Sequence, residues 1–400
     1  MAMRIGVEEE FHILEVESGL LVPRADAVLR RLPRRTFTTE LHQSAVESNS
    51  GVHASLAGLY SDLARTRRRL DAAAASLGLA VAAAGTAPLA PAASGQPTAD
   101  ARYHHMVEEY RRVADEQLIC GAQVHVDVPD RDTAVGLMCT LSPWLPALLA
   151  LSASSPFWQG SDTGYASWRT LLWQRWPTAG PVGCFKSAAD YDAAVDDLVR
   201  TGVISDPGMI YYDVRPSSHL RTLELRICDA CPRVETVVLV AGLFRALVTE
   251  ALELRASGAA VCDGRHEWLR GASWRAARSG LEGALVDPRT HREAPAAEVV
   301  RGLLARLRPA LEAHGDWQTV RDLAEGAMAN GSAAERMRRK AREEDLLACT
   351  DLLIAETRGA RRHRRPAAFA RRKVQRSVQG GAGSGVQGGT GSGTPEVLGG

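Results

Sequence analysis

Lysine is almost missing from this chain of 400 residues. It occurs only as Lys186, Lys340 and Lys373, although Lys and Arg together number 48. Any phosphate or carboxylate contact must therefore come mainly from arginine, whose planar fork binds such groups through paired hydrogen bonds. Net charge is scarce too: at +1, no global field draws the chain to nucleic acid or a membrane surface. No unbroken apolar run reaches the length of a membrane span. The acidic N-terminal stretch lacks the basic flank and apolar centre of a signal peptide. The expectation is a cytoplasmic protein with neither membrane nor nucleic acid as a partner.

Cysteine is sparse. Seven residues spread over the chain read as reduced thiols, not as a disulfide framework. Cys228 and Cys231, in "CDAC", have the spacing of a redox pair, but no second such pair completes a zinc site, so packing is the expected role. Nucleotide-binding glycine loops are missing as well: there is no G-x-x-x-x-G-K-[ST], and no G-x-G-x-x-G after a strand. A nucleotide, if bound, would be held through metal ions and arginines.

What is present reads as an ordinary globular chain, 45% hydrophobic and 24% charged. Residues 3–14 alternate like a strand. Residues 54–77 carry leucines at helical spacing, and "GLAVAAAG" after them reads as a buried strand. A charged helix is predicted over 103–117, followed by an alternating strand in "GAQVHVDV". An apolar helical stretch over 133–153 is interrupted by Pro143 and Pro146, and a long Trp-, Gly- and Pro-rich loop covers 156–187. Two strands, 208–216 and 221–228, are joined by the turn "PSSH". From about 234 to 357 the pattern is helical, with a polar loop near 286–295. The end is a basic run and then a Gly/Ser-rich segment that cannot form a core, so 359–400 reads as a disordered tail beside one domain, 1–358.

The chemistry emerges from strand alternation, which sends successive side chains to opposite faces. In "IGVEEEFHI", Ile5, Val7, Glu9, Phe11 and Ile13 share one face, and Gly6, Glu8, Glu10 and His12 the other. Three glutamates in a row thus separate into a pair, Glu8 and Glu10, and a lone Glu9 among apolar residues. An unpaired buried charge is untenable, so Glu9 is expected to meet an arginine or backbone donors. The same division places Gln123, His125 and Asp127 opposite Val124, Val126 and Val128. It places Thr222, Glu224, Arg226 and Cys228 opposite Leu223, Leu225 and Ile227, and Tyr211, Asp213 and Arg215 opposite Ile210, Tyr212 and Val214. Such polar faces could simply meet water, as in many antiparallel sheets. Their content of Glu, His, Gln, Asp and Arg instead suits hard divalent cations such as Mg²⁺ or Mn²⁺. The segment "TTELHQSAVESNSG" adds Glu40 and Glu47.

Taken together and in order, "GVEEEF", "ESNSG", "RYHHMVEEY", "CGAQVHVDV", "SWRTLLWQRWPTAGP" and "DPGMIYYDVRPSSHLRTLELRICD" resemble the carboxylate–amine ligases of the type 2 glutamate–cysteine ligase family, from about residue 3 to residue 355. The resemblance implies an α+β fold like that of glutamine synthetase: a curved antiparallel sheet forming a funnel, flanked by helices, with a mostly helical C-terminal part. It implies ATP-dependent joining of the γ-carboxylate of glutamate to the amine of cysteine, or another amine, through an acyl phosphate, with Mg²⁺ (or Mn²⁺) as cofactor. By motif position, Glu8, Glu10, Glu40, Glu47 and Glu224 resemble metal ligands. Arg226 and Arg215 resemble phosphate or carboxylate contacts, with Glu224 the catalytic set. Gln123, His125 and Arg169 resemble contacts to nucleotide or substrate. Position 123 is glutamine where the family motif commonly has histidine; an amide oxygen can still meet a hard cation. His12, Trp168, Trp173 and Trp176 read as packing, His104 and His105 as surface groups, and Asp127 as a solvated strand end. A homodimer is an open arrangement. Two other readings use the same residues: a metal-dependent amide hydrolase, and a non-catalytic sensor built on the ligase fold.

Overall fold

The computed structural model describes residues 3–91, 95–258 and 267–359. The tail expected at 359–400 lies, apart from Gly359, outside them. Eleven strands occur among the described residues: β1 (Ile5–Glu15), β2 (Phe37–Thr39), β3 (Ala45–Asn49), β4 (Leu79–Ala82), β5 (Ala122–Asp127), β6 (Phe157–Trp158), β7 (Ser161–Asp162), β8 (Val214–Pro216), β9 (Thr222–Leu225), β10 (Ala284–Asp287) and β11 (Arg292–Pro295).

Seven of these form one sheet in the order β2-β3-β1-β5-β9-β8, with β4 added beside the second half of β1. Every pairing in it is antiparallel, and β2 and β8 are open ends, so the sheet does not close. With helices packed on the sheet, the class is α+β.

Alternation builds the core. Ile5, Val7, Val124, Val126, Leu223 and Leu225 leave no more than 2% of their surface exposed. They pack with Leu59 and Leu63 of the helix Leu56–Ala75 and with the helix Val234–Ala256. The first of these helices is capped by Ser55, whose side chain accepts from the Gly58 N–H, and buries Leu56, Leu59, Leu63 and Leu70 on one stripe. The second is apolar around most of its circumference and is correspondingly buried. Behind the second half of β1, Phe11, Ile13, Phe37, Val46, Leu70 and Val81 form a second cluster.

Several sequence expectations change. The predicted helix over 103–117 is two helices, Ala101–Tyr110 and Arg112–Asp115, because Arg111 adopts a left-handed φ of 50° between them. The strand expected at 208–216 shrinks to β8 and is preceded by a 3-10 turn, Pro207–Met209, so Tyr211, Asp213 and Arg215 do not lie along one strand. The polar loop near 286–295 is the hairpin β10–β11. Within the Trp-rich loop, Trp168–Trp173 is helical, capped by Ser167 accepting from the Thr170 N–H. The apolar stretch Arg131–Ser152 is long and apolar enough to cross a membrane by length and composition, contrary to expectation, yet 83% of its most apolar window is buried inside the fold. Pro143 and Pro146 are the second residues of its later segments, within the first turn, where a missing N–H costs little. The cysteines differ as well. Cys139 and Cys184, 45 residues apart, form a disulfide, whereas Cys120, Cys228, Cys231 and Cys349 are free and buried.

Candidate active site

Register across the sheet assembles the polar groups. On β1, Glu10 stands opposite Glu47 of β3, and Glu8 lies between Asn49 of β3 and Gln123 of β5. Farther across, His125 of β5 faces Glu224 of β9, which in turn faces Arg215 of β8. This side of the sheet is not a solvated face: Gln123, His125 and Glu224 are 2%, 7% and 3% exposed. Part of it, with Glu10 and Gln123, lines a cavity of about 190 Å³, whose acidic part is Glu10, Glu40 and Glu47 and whose basic and aromatic part includes Arg226, Arg169, Trp173 and Tyr211; Glu8, His125, Glu224 and Arg215 are not among the lining residues.

Two ligand-rich groups result. Glu10, Glu40 and Glu47 bring carboxylate oxygens within 4.8 Å of one another, as do the donor atoms of Glu8, His125 and Glu224. Glu40 reaches the first group from the connection after β2, not from a strand. The orientation of this group is fixed from outside. Glu10 accepts from the Gly121 N–H (2.6 Å) and from Gln123 Nε2 (2.7 Å), and Glu47 accepts from Asn49 Nδ2 (3.0 Å). The Gln123 carbonyl oxygen is buried and has no hydrogen-bond partner among the described residues.

Electrostatics separate the two groups. Burial, then the charges of Glu8 and Glu10, push the Glu47 carboxyl up to about 7. Burial, with Glu10 and Glu47 beside it, pushes Glu40 well above the carboxylate range. Carboxylates crowded in this way either take up protons or share a cation. The donor set, all oxygen, fits a hard divalent cation. Glu224 behaves oppositely. Burial alone would raise its carboxyl, but Arg226 and Arg215 outweigh it and hold the group down to about 2. Arg215 Nε donates to Glu224 Oε2 (2.9 Å), and Arg226 Nη1 donates to Oε1. Its charge is already balanced by protein, so Glu224 has less need of a cation than Glu40 or Glu47. His125 lies 3.3 Å from Glu8 and 3.0 Å from the Thr222 hydroxyl. Burial lowers the affinity of its ring for a proton, but Glu8 and Glu224 reverse this and raise it.

Arg169 lines the cavity as well. Its Nη atoms donate to the Ile227 and Arg226 carbonyls, both at 3.3 Å. Gly121 permits this approach: a Cβ there would stand 2.5 Å from Arg169 Nη2. The same glycine donates to Glu10, so one residue without a side chain joins the acidic and basic walls.

Glu9 is elsewhere. It is 1% exposed on the opposite face of β1 and accepts from Arg67 Nη2 (2.5 Å) and Nε (3.3 Å). Asp127 is half-buried and paired with Arg4 at 2.7 Å. His105 contacts the Ser205 hydroxyl at 2.9 Å, and His104 is exposed. His12, read from sequence as packing, is fully buried, with its ring held neutral by burial at a pKa of about 4, and it also lines the cavity. Sequence reasoning read Trp173 and Trp176 as packing, yet both line the cavity. Their aromatic character alone gave no signal, since most buried aromatic rings only pack.

The family model described as glutamate-cysteine ligase family 2 matches residues 4–352. A relative in Frankia casuarinae, provisionally named glutamate–cysteine ligase 2-2, is 56% identical over 88% of this chain but only 41% of its own length. The chain thus spans less than half of that relative. One of the same provisional name in Mycolicibacterium smegmatis is 49% identical, with 88% of this chain and 89% of the relative covered. Among solved structures, the glutamate–cysteine ligase of Francisella tularensis in complex with AMP superposes with a TM-score of 0.68 at 12% identity, covering 92% of this chain and 91% of that one. A bifunctional glutathione synthetase from Pasteurella multocida gives 0.63 at 16% identity, covering 89% and 52%. At such identities the likeness is one of fold. The match over residues 4–352 and the close relatives show that the chain belongs to glutamate–cysteine ligase family 2.

Proposed function

We propose that this chain is an ATP-dependent carboxylate–amine ligase that joins the γ-carboxylate of glutamate to the amine of cysteine or of another small molecule. Family membership supports the reaction class, and the neighbour's complex with AMP supports an adenine nucleotide as the phosphoryl donor. The observation that carries the reading is the trio Glu10, Glu40 and Glu47 on the wall of a cavity that also presents Arg226 and Arg169.

In this reading Glu10, Glu40 and Glu47 hold a divalent cation, Mg²⁺ or Mn²⁺, and Glu8, His125 and Glu224 are positioned for another. Such ions would neutralise phosphate charge and align the γ-phosphoryl group for in-line transfer. Gly121, Gln123 and Asn49 keep the carboxylates aimed before the ion arrives, which limits reorganisation. A γ-carboxylate oxygen of glutamate attacks the γ-phosphorus and ADP leaves. The amine nitrogen then attacks the acyl carbon, gives up a proton, and inorganic phosphate leaves. Arg226 and Arg215 balance the charge of Glu224, and Arg226, on the cavity wall, meets the acid substrate. The cavity walls, Trp173 and Tyr211 among them, shield the acyl phosphate from water.

The test is ADP release by the full chain with Mg²⁺, with glutamate fixed and the amine varied. Release that requires metal, glutamate and an amine together is the expected result. No release across a broad panel of acids and amines, with no Mg·ATP binding, refutes the proposal.

A further inference from the structure

Three buried N–H donors around the cavity have no hydrogen-bond partner among the described residues: Trp173 Nε1, Arg226 Nε and Arg169 Nε. All three residues line the cavity. They also belong to one cluster: the Arg169 and Arg226 guanidinium carbons lie 5.5 Å and 5.8 Å from the Trp173 ring centroid, and the Tyr211 ring lies 4.7 Å from it. A buried donor left unpaired costs roughly 1–3 kcal/mol. Native structures rarely tolerate three together unless a ligand or ordered water satisfies them.

The free edges define the ligand. The Nη edge of Arg169 is spent on the carbonyls of residues 226 and 227, and Arg226 Nη1 on Glu224. What remains is the Nε side of Arg226, the Nε of Arg169 and a neutral indole N–H. A phosphoryl group, with more charge and more oxygens, calls for several guanidinium forks or for cations, and the cation ligands lie on the acidic part of the cavity, at Glu10, Glu40 and Glu47. A carboxylate carries one charge on two oxygens and can be satisfied by a few N–H donors. An acid with two carboxylates would therefore direct its reacting one to the cation side and its other one to this wall.

We propose that Trp173 is a specificity-determining residue whose indole N–H, with the Nε edges of Arg226 and Arg169, holds the carboxylate of the acid substrate that does not react. This rests on the ligase reading above, and for glutamate the held group is the α-carboxylate. The role differs from packing, because Phe can replace Trp in packing but cannot donate.

The experiment titrates the full chain, by calorimetry with Mg²⁺, with three probes: glutamate, isoglutamine (its α-carboxylate replaced by a carboxamide) and a non-hydrolysable ATP analogue. Trp173→Phe is expected to weaken glutamate roughly 10- to 100-fold, the range for a hydrogen bond to a charged group. Isoglutamine affinity should fall far less, and the ATP analogue should bind unchanged. In turnover, the glutamate KM should rise with little change in kcat. Trp173→His keeps a ring N–H and should recover part of the loss, which also guards against a folding defect. Equal losses for glutamate and isoglutamine, a loss confined to the nucleotide, or no loss at all each overturn the inference while leaving the ligase reading intact. Wild-type protein that binds neither glutamate nor nucleotide overturns both.

Discussion

Changing Glu9 to Gln separates structure from catalysis within a run of three glutamates. Glu9 and Arg67 are 1% and 2% exposed, and Arg67 also donates to the Pro232 carbonyl (2.6 Å) and the Cys231 carbonyl (2.7 Å). Arg67 thereby ties β1 and its own helix to the chain entering the helix Val234–Ala256. Gln keeps the shape of Glu and one acceptor oxygen, but it leaves the guanidinium buried without a counter-charge. Breaking one side of a buried pair costs about 3–5 kcal/mol, against a total stability of about 5–15 kcal/mol for a typical domain. With a urea slope near 3 kcal/mol/M, the midpoint should drop by about 1 M or more. At a temperature where the variant stays folded, Mg²⁺ dependence and kcat should be close to wild type, because the side chain does not reach the cavity. Glu9→Leu combined with Arg67→Met should regain much of the loss, since an apolar pair of similar volume removes both buried charges. The assays are a urea melt and ADP release at several Mg²⁺ concentrations. A Glu9→Gln variant as stable as wild type, but with weakened Mg²⁺ affinity, would refute the assignment of Glu9 to the far side of the strand.

The neighbouring positions should respond in reverse. Glu10→Gln and Glu224→Gln should each abolish ADP release while the far-ultraviolet spectrum stays native; wild-type turnover in either removes that residue from the site. The metal-free protein should also lose stability as pH rises. Glu47 titrates at about 7 when folded against 4.5 as its ordinary value, so between these the folded state holds more protons than the unfolded one. Stability contributed by the protonated form is complete below the lower value and is lost through the upper one, by at most about 3 kcal/mol for this group. Melting in EDTA from pH about 5 to about 7.5 should show the fall, and added Mg²⁺ should reverse it; a rise with pH would contradict the crowded-carboxylate picture.

Sequence alone determined which side of each strand carries chemistry. Alternation is a property of the local backbone, so the separation of Glu9 from Glu8 and Glu10 could be read before any contact was known, as could the polar pairs Gln123–His125 and Glu224–Arg226. The leucine stripe of the helix Leu56–Ala75 was legible for the same reason, since helical periodicity is also local. Tertiary structure alone decided which polar groups meet. Glu40 lies in a connection with no period to reveal it, and only the β2–β3 pairing carries it beside Glu47. Glu224, read from sequence as a metal ligand, has its charge taken up by Arg215 of β8 and by Arg226 just after β9. Trp173 looked like any buried ring until folding left its N–H on a cavity wall without a partner. Cys139 and Cys184 are joined only because the Trp-rich segment returns to the apolar helix. In each case the deciding contact depends on how separate elements pair or pack, which sequence spacing does not report.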